Sequence, residues 1–277
     1  MDHYAVVGNP IAHSKSPWIH AAFARQTGQA LVYQTLLAPL DGFEQSVTAF
    51  RIGGGRGLNV TVPFKLEAFA LANHHTPRAE AAGAVNTLAF GPDGILGDNT
   101  DGAGLVRDLS FNLHCPLVGR RILLLGAGGA TRGVLLPLLT SLPASLTIAN
   151  RTASKAIALA ERFIPHAGRA RVDGCGFEEL AGRRFDLVIN ATAASLADEL
   201  PPLPPGLYAE GALAYDMMYG RGQTPFLRAA LADGAARVAD GLGMLVEQAA
   251  ESFALWRGVR PDSAPVLAEL RRLVEAG

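Results

Sequence analysis

Lysine is nearly missing from this chain: of 24 basic residues, only Lys15, Lys65 and Lys155 are lysines. Cysteine is scarce too. Cys115 and Cys175 stand far apart in 277 residues, too few for a disulfide framework and without metal-ligand spacing, which fits a reducing compartment. The charges nearly cancel, leaving a net of −1, so no overall field recruits nucleic acid or an anionic membrane surface, and neither is expected as a partner. No uninterrupted apolar run approaches the roughly 18 residues that span a bilayer, and the opening MDHYAVVGNP has no basic and apolar leader. These absences lead us to expect a cytoplasmic protein, monomer or homodimer, that acts on a small molecule.

Two reductase chemistries are excluded on the same grounds. Short-chain dehydrogenases place a tyrosine four residues before a lysine, and here those positions hold Ile11, Thr61 and Arg151. Zinc alcohol dehydrogenases need grouped thiolates and imidazoles, which two cysteines and seven scattered histidines do not supply. No metal site is expected, and His13 and His20, flanking the start of the first helix, are read as structural.

Short β-rich runs alternate with helical stretches through most of the chain, the pattern of a parallel sheet covered by helices on both faces. Strands are predicted near Tyr4 to Gly8, Leu31 to Leu36, Gly57 to Val62 and Ala84 to Phe90, with a GPDG turn returning the chain for a short strand ending near Asp98. Ser16 and Pro17 read as the N-cap and first residue of a helix that Gly28 closes, and Thr224 with Pro225 caps another. Helices from Gly241 onward are expected to pack back on the first domain. The expected fold is α/β with two domains: an N-terminal α/β substrate domain, residues 1–105 completed by 241–277, and a dinucleotide-binding Rossmann domain, 106–240, with the site in a cleft between them.

The second domain opens on RILLLGAGGATRG, an apolar strand running into glycines at 126, 128 and 129 and then a helix. Missing side chains there let backbone N–H groups approach a pyrophosphate at the helix N-terminus. The spacing departs from G-x-G-x-x-G because Thr131 takes the third glycine's place and Gly133 comes two residues late. The next strand ends in Asn150, Arg151 and Thr152 with Lys155 one turn on, and no acid precedes Glu161. An acid there would meet free ribose hydroxyls, whereas cations suit a 2′-phosphate, so NADP is expected over NAD.

In the first domain four polar segments sit at strand ends, where open α/β sheets bind ligands: HSKSP, NVTVPFK, AVNTL and GDNTDG. Ser14, Ser16, Asn59, Thr61, Asn86, Asn99, Thr100 and Asp101 could surround a small polyhydroxylated acid through neutral hydrogen bonds. Each also has a plain structural reading as a cap or turn. Hydride transfer to a carbonyl creates an alkoxide that needs a proton. An amine can be tuned to supply one where arginine cannot, so Lys65 with Asp101 is the expected acid–base pair.

The strings GNPIAHSKSP, NVTVPFK, GAVNTL, GDNTDG, GAGGATRG, NRT, NAT, YDMMY and GMLVEQAAESF follow one another in the order of the shikimate dehydrogenases, which this chain resembles over nearly its whole length. The resemblance implies reversible NADPH-dependent reduction of 3-dehydroshikimate to shikimate in aromatic amino-acid biosynthesis. It places catalysis on Lys65 and Asp101, the substrate carboxylate on Ser14, Ser16 and Tyr219, and the ring oxygens on Asn59, Thr61, Asn86 and Gln248. It further implies Gly126, Ala127, Gly128, Gly129 and Ala130 at the pyrophosphate, Asn150, Arg151, Thr152 and Lys155 at the 2′-phosphoribose, and Thr192, Met217 and Gly241 along the nicotinamide. The chain departs from the family pattern at Ala21, at Lys155 where arginine is usual, and at Ala193 and Ala194. Two alternatives stay open: a quinate/shikimate dehydrogenase using NAD or both cofactors, and a ligand sensor that has lost the chemistry.

Overall fold

The computed structural model describes residues 1–192 and 200–276. It separates into two compact units, one of Met1–Gly104 with Leu245–Leu270, the other of Leu105–Met244 with the residues from Arg271. Ala193 and Ala194 lie outside the described residues.

The first unit runs β1 (Asp2–Gly8), α1 (Ser16–Thr27), β2 (Leu31–Leu37), α2 (Phe43–Ile52), β3 (Gly55–Val60), α3 (Lys65–Leu71), β4 (His74–His75), α4 (Pro77–Ala82), β5 (Thr87–Gly91), β6 (Gly94–Asp98) and the start of α5 (Asp101–Arg107). Its sheet has the order β2-β1-β3-β5-β6-β4. The sheet is mixed: β5 lies antiparallel to both β3 and β6, and between β5 and β6 the GPDG turn returns the chain as the sequence predicts, being too short for a crossover. At α1 the N-cap is Lys15, not Ser16, and no side chain caps it. Pro17 sits in the first turn and Gly28 ends the helix at φ 65°, in the left-handed region that glycine adopts freely.

The second unit adds β7 (Arg121–Leu125), α6 (Gly129–Thr140), β8 (Ser145–Ala149), α7 (Ala153–Phe163), β9 (Arg171–Cys175), β10 (Phe185–Asn190), β11 (Tyr208–Asp216), α8 (Pro225–Ala232) and β12 (Arg237–Asp240). The order is β12-β11-β10-β7-β8-β9 and every pairing is parallel. The strand order reverses between β7 and β10, which opens the crevice where doubly wound sheets take their ligands. Leu123, Leu125, Val188 and Ala214 bury one sheet face against Phe226 and Leu227 of α8, whose start Thr224 caps by accepting from the Leu227 N–H at 3.3 Å.

The chain closes with α9 (Leu242–Arg257) and α10 (Ser263–Ala276). Most of both helices belongs to the first unit. Gly241–Met244 and the residues from Arg271 group with the second. The reason is local: Arg271 grips Asp240 through two bonds of 2.6 and 2.5 Å, and Gly243 lies so close to the Asp108 carboxylate that an added Cβ would sit 2.0 Å from it. In the first unit, Trp256 of α9 donates to the Leu88 carbonyl at 3.1 Å. That approach needs a bare backbone at Gly57, where a Cβ would fall 2.5 Å from the indole nitrogen. His20, Phe23, Tyr33, Phe253 and Trp256 form an aromatic cluster, while Val7, Leu58, Val60, Phe64 and Leu88 belong to an apolar core cluster of the unit.

Candidate active site

Lys65 opens α3 and Asp101 opens α5, and the fold brings them together. The ammonium donates to Asp101 Oδ2 at 2.5 Å, with the two side chains 25% and 12% exposed. Asn86 donates to the other oxygen, Oδ1, at 2.8 Å. The orientation of Asn86 is settled by its other end: Oδ1 accepts from the Thr100 backbone N–H at 2.8 Å and from the Thr87 hydroxyl at 2.9 Å. Asp101 therefore meets donors at both oxygens and acts as the acceptor, while the lysine keeps donors free for another oxygen.

A buried relay of neutral groups continues from this pair. Asn59 donates to Thr87 at 3.1 Å and to Ser252 of α9 at 2.9 Å, and accepts from the Tyr33 hydroxyl at 2.7 Å. Gln248, one helical turn before Ser252, lies at 3.5 Å from Asn86 and 3.4 Å from Thr100. Thr61 follows β3, half-buried, its N–H on the Val7 carbonyl at 3.0 Å and its methyl against Gly8. After β1, Ser14 is half-buried and accepts from the N–H of the buried Ser16 at 3.3 Å. Of the predicted substrate residues in this unit, Asn59, Asn86 and Gln248 thus join Lys65 and Asp101 in one network, and Ser16 meets the Tyr33 hydroxyl that bonds to Asn59.

Sequence reasoning missed five residues that hold this network: Tyr33, Thr87, Ser252, Arg78 and Asp98. Ser252 was within reach, since it follows Gln248 at the four-residue spacing that puts side chains on one helix face. Asp98, buried at the end of β6, accepts from Thr76 at 2.5 Å, from Arg78 at 2.7 and 2.5 Å, and from the Asn99 N–H at 2.7 Å. Burial alone would raise its pKa, but the Arg78 fork outweighs this and holds the carboxyl below its ordinary range. His20, read as structural, is fully buried and stacked on Tyr33 at 4.1 Å. Burial drives its imidazole down to about 3, opposed by the nearby Asn59 amide.

In the second unit Gly126 adopts φ 103°, a region glycine alone enters freely, and a Cβ there would press within 3.2 Å of Thr192. An added Cβ at Gly128 or Gly129 meets nothing within 4 Å, so the backbone lies bare at the start of α6. No side chain caps that start and no acid occupies its first turn. Ala127 and Ala130 flank the glycines, half-buried and exposed, and Thr131 turns its hydroxyl back to the Gly126 carbonyl at 2.9 Å. The donor set fits a pyrophosphate. Beyond β8, Asn150 donates to the Thr152 carbonyl at 3.0 Å, and Arg151 and Lys155 are exposed, with no ion pair among the described residues and no acid in the first turn of α7. That fits a phosphate on the adjoining ribose better than a free hydroxyl.

Thr192 is pinned by two bonds to the buried Asn190 Oδ1, at 3.1 and 2.7 Å. Met217 donates its N–H to the Asn190 carbonyl at 2.9 Å, and Gly241 packs on it so tightly that a Cβ would stand 2.1 Å from the Met217 oxygen. The structure thus gathers Thr192, Met217 and Gly241 at the carboxyl ends of β10, β11 and β12. Tyr219 is half-buried beyond them, its phenol raised by burial and by the Asp240 charge, so it stays a hydrogen-bond donor.

A family model described as the shikimate dehydrogenase substrate binding domain matches residues 6–88, one described as shikimate / quinate 5-dehydrogenase matches 110–197, and one described as the shikimate 5′-dehydrogenase C-terminal domain matches 241–271. The chain is 71% identical to the shikimate dehydrogenase (NADP(+)) of Aromatoleum aromaticum, over 100% of this chain and 99% of that one. Among solved structures, an Ael1 enzyme from Pseudomonas putida superposes with a TM-score of 0.91 at 52% identity, covering 98% of each chain. Shikimate 5-dehydrogenase from Thermus thermophilus, in complex with NADP(H) and shikimate, gives 0.85 at 35% identity, covering 98% of this chain and 99% of that one. The chain belongs to the shikimate dehydrogenase family.

Proposed function

We propose that this chain catalyses the reversible, NADP-dependent interconversion of 3-dehydroshikimate and shikimate, a step toward the aromatic amino acids. The observation that carries this reading is the 2.5 Å contact between Lys65 and Asp101 beside a network of buried neutral donors and acceptors. Bound NADPH supplies a hydride to the substrate carbonyl carbon. Lys65 gives a proton to the oxygen that becomes the alcohol, and Asp101 holds the amine in place and stabilises its charged form. In the reverse direction the amine takes that proton back. Asn59, Thr61, Asn86 and Gln248 address the ring oxygens; Ser14, Ser16 and the Tyr219 phenol meet the carboxylate. On the cofactor side, residues 126–130 hold the pyrophosphate, Asn150, Arg151, Thr152 and Lys155 the 2′-phosphoribose, and Thr192, Met217 and Gly241 the nicotinamide. With lysine at 155, one planar fork becomes a point charge. A cytoplasmic location and a monomeric or homodimeric state belong to the same reading; among the described residues no helix is long and apolar enough to cross a membrane.

The test is turnover with NADP and NAD, each against shikimate and quinate. NADP with shikimate is expected to be the fastest pair, and faster turnover with NAD or with quinate overturns the assignment. Lys65→Ala is expected to lower kcat by about 10² or more with little change in KM, since general acid–base groups contribute about that much. An unchanged kcat would remove Lys65 from the chemistry, whereas binding of shikimate with no turnover by the wild type would favour a ligand sensor.

A further inference from the structure

Beneath the catalytic pair runs a chain of charges that the proposed chemistry does not use. The Arg78 guanidinium spends two nitrogens on the Asp98 carboxylate, at 2.7 and 2.5 Å, and reaches Glu251 of α9 with the third, at 3.4 Å. Glu251 is also bound by Arg260, which holds Glu247 at 2.9 Å, and Ser263 donates to Glu247 at 2.6 Å. Asp98 is 1% exposed and Arg78 26%.

Both ends of this fork abut the site. Asp98 is three residues before Asp101, and the intervening backbone has no slack: Asn99 ties to the Ala84 carbonyl at 3.0 Å and accepts from the Asp101 N–H at 3.2 Å, and Thr100 donates to Asn86. The Asp98 carbonyl accepts from the Asn86 N–H at 3.0 Å. A shift of Asp98 is therefore passed to Asn86, which holds one oxygen of the Asp101 carboxylate, and to the Asp101 backbone itself. On α9, Glu251 lies one turn beyond Gln248 and next to Ser252, and Glu247 immediately precedes Gln248. A buried ion pair contributes little net stability against an apolar replacement of the same shape, so its use here is geometric.

We propose that Arg78 is a positioning residue, a planar fork that locks Asp98 and Glu251 so that Asp101 and Gln248 are presented to the substrate in one fixed arrangement. The inference rests on the function proposed above. Misplacement of a reacting group by about 1 Å can cost about 10² in rate, so Arg78→Ala is expected to lower kcat for shikimate oxidation by about tenfold or more and to alter the pH profile of kcat. The Kd for NADPH, read by fluorescence, is expected to stay within about twofold. Because Arg78 is partly open to solvent, guanidinium ion at non-denaturing concentration is expected to restore part of kcat. Arg78→Lys keeps the charge but loses the fork; it is expected to show the same loss and is read in place of Arg78→Ala should that variant not fold. A lowered melting temperature with kcat and its pH profile unchanged would make the fork merely structural and overturn the inference. A wild-type protein that does not turn over shikimate with NADP would instead overturn the proposed function.

Discussion

Asp101→Asn tests the acid–base pair with almost no change in shape. In the wild type, Asp101 accepts from Lys65 at one oxygen and from Asn86 at the other. Asn86 cannot flip to help, because its own oxygen is held by the Thr100 N–H, which can only donate. An asparagine at 101 has one acceptor to offer two donors, so in either orientation an NH₂ group faces another donor. Loss of a hydrogen bond to a charged group costs about 1.5–3 kcal/mol, or about 10- to 150-fold in rate at about 1.4 kcal/mol per decade. Loss of the carboxylate that stabilises the charged amine adds the acid–base contribution, about 10² to 10⁴, so the chemical term dominates and kcat is expected to fall by at least about 10². The fold should survive: Lys65 is a quarter exposed and can turn to water, which keeps the stability cost below the roughly 3–5 kcal/mol of breaking a fully buried pair. Steady-state oxidation of shikimate with NADP, with KM and melting temperature measured on the same preparation, decides the matter. A kcat within about threefold of wild type would refute the assignment of these roles.

Two further perturbations probe other parts of the molecule. Gly241→Ala forces a methyl to within 2.1 Å of the Met217 carbonyl, an overpacking of about 1–3 kcal/mol; the Kd for NADPH is expected to rise at least about fivefold, and an unchanged Kd would remove Gly241 and Met217 from the nicotinamide site. His20 takes its proton near 6.5 when unfolded and about 3 when folded, so the unfolded chain binds it first as pH falls, and stability fully present above 6.5 is lost below it at about 1.4 kcal/mol per pH unit. The depressed Asp98 carboxylate acts only at lower pH, as protonation reaches its folded value. Denaturant unfolding followed by tryptophan fluorescence, which reports the first unit because Trp18 and Trp256 both lie in it, is expected to show a pH 6.5 to 4.5 loss that His20→Phe reduces by about 2.7 kcal/mol. Equal slopes in the two proteins would show that His20 is not the group responsible.

Much of this was legible because the informative groups sit in short strings at strand ends. The glycine turn after β7, the cations after β8 and the GPDG hairpin each announce themselves within a few residues. Edge strands did not: β9 and β12 are short, begin with arginine and contain aspartate, so their patterns look like surface loops until the sheet supplies a parallel neighbour. Ser16 misled because Ser-Pro is a common helix opening, yet the chain enters α1 one residue earlier, already helical at Lys15. Partners of Asn59 and Asp98 were hidden for a different reason. Ser252 lies 193 residues from Asn59, and Glu251 lies 173 from Arg78; pairings of that range carry no periodicity.

What these distant pairings build is a cluster whose neutral groups are already satisfied by one another. Asn59, Asn86, Thr87, Thr100 and Ser252 are all buried, and each has at least one hydrogen-bond partner in the group. Leaving any of them unpaired would cost about 1–3 kcal/mol, so the network resists side-chain rearrangement. Lys65 and Asp101 are the charged groups at its edge, and the lysine is the more exposed of the pair. A polyhydroxylated ring suits such a surface, because each ring hydroxyl both donates and accepts and can be matched by amides and hydroxyls without moving a charge. An analogue lacking one hydroxyl would forfeit a matched hydrogen bond, and a site built to hydrogen-bond a hydroxyl rejects its absence far more strongly than a hydrophobic pocket rejects a missing methylene. On the proposed function, discrimination resides in the neutral network, while proton transfer resides in the ion pair at its edge.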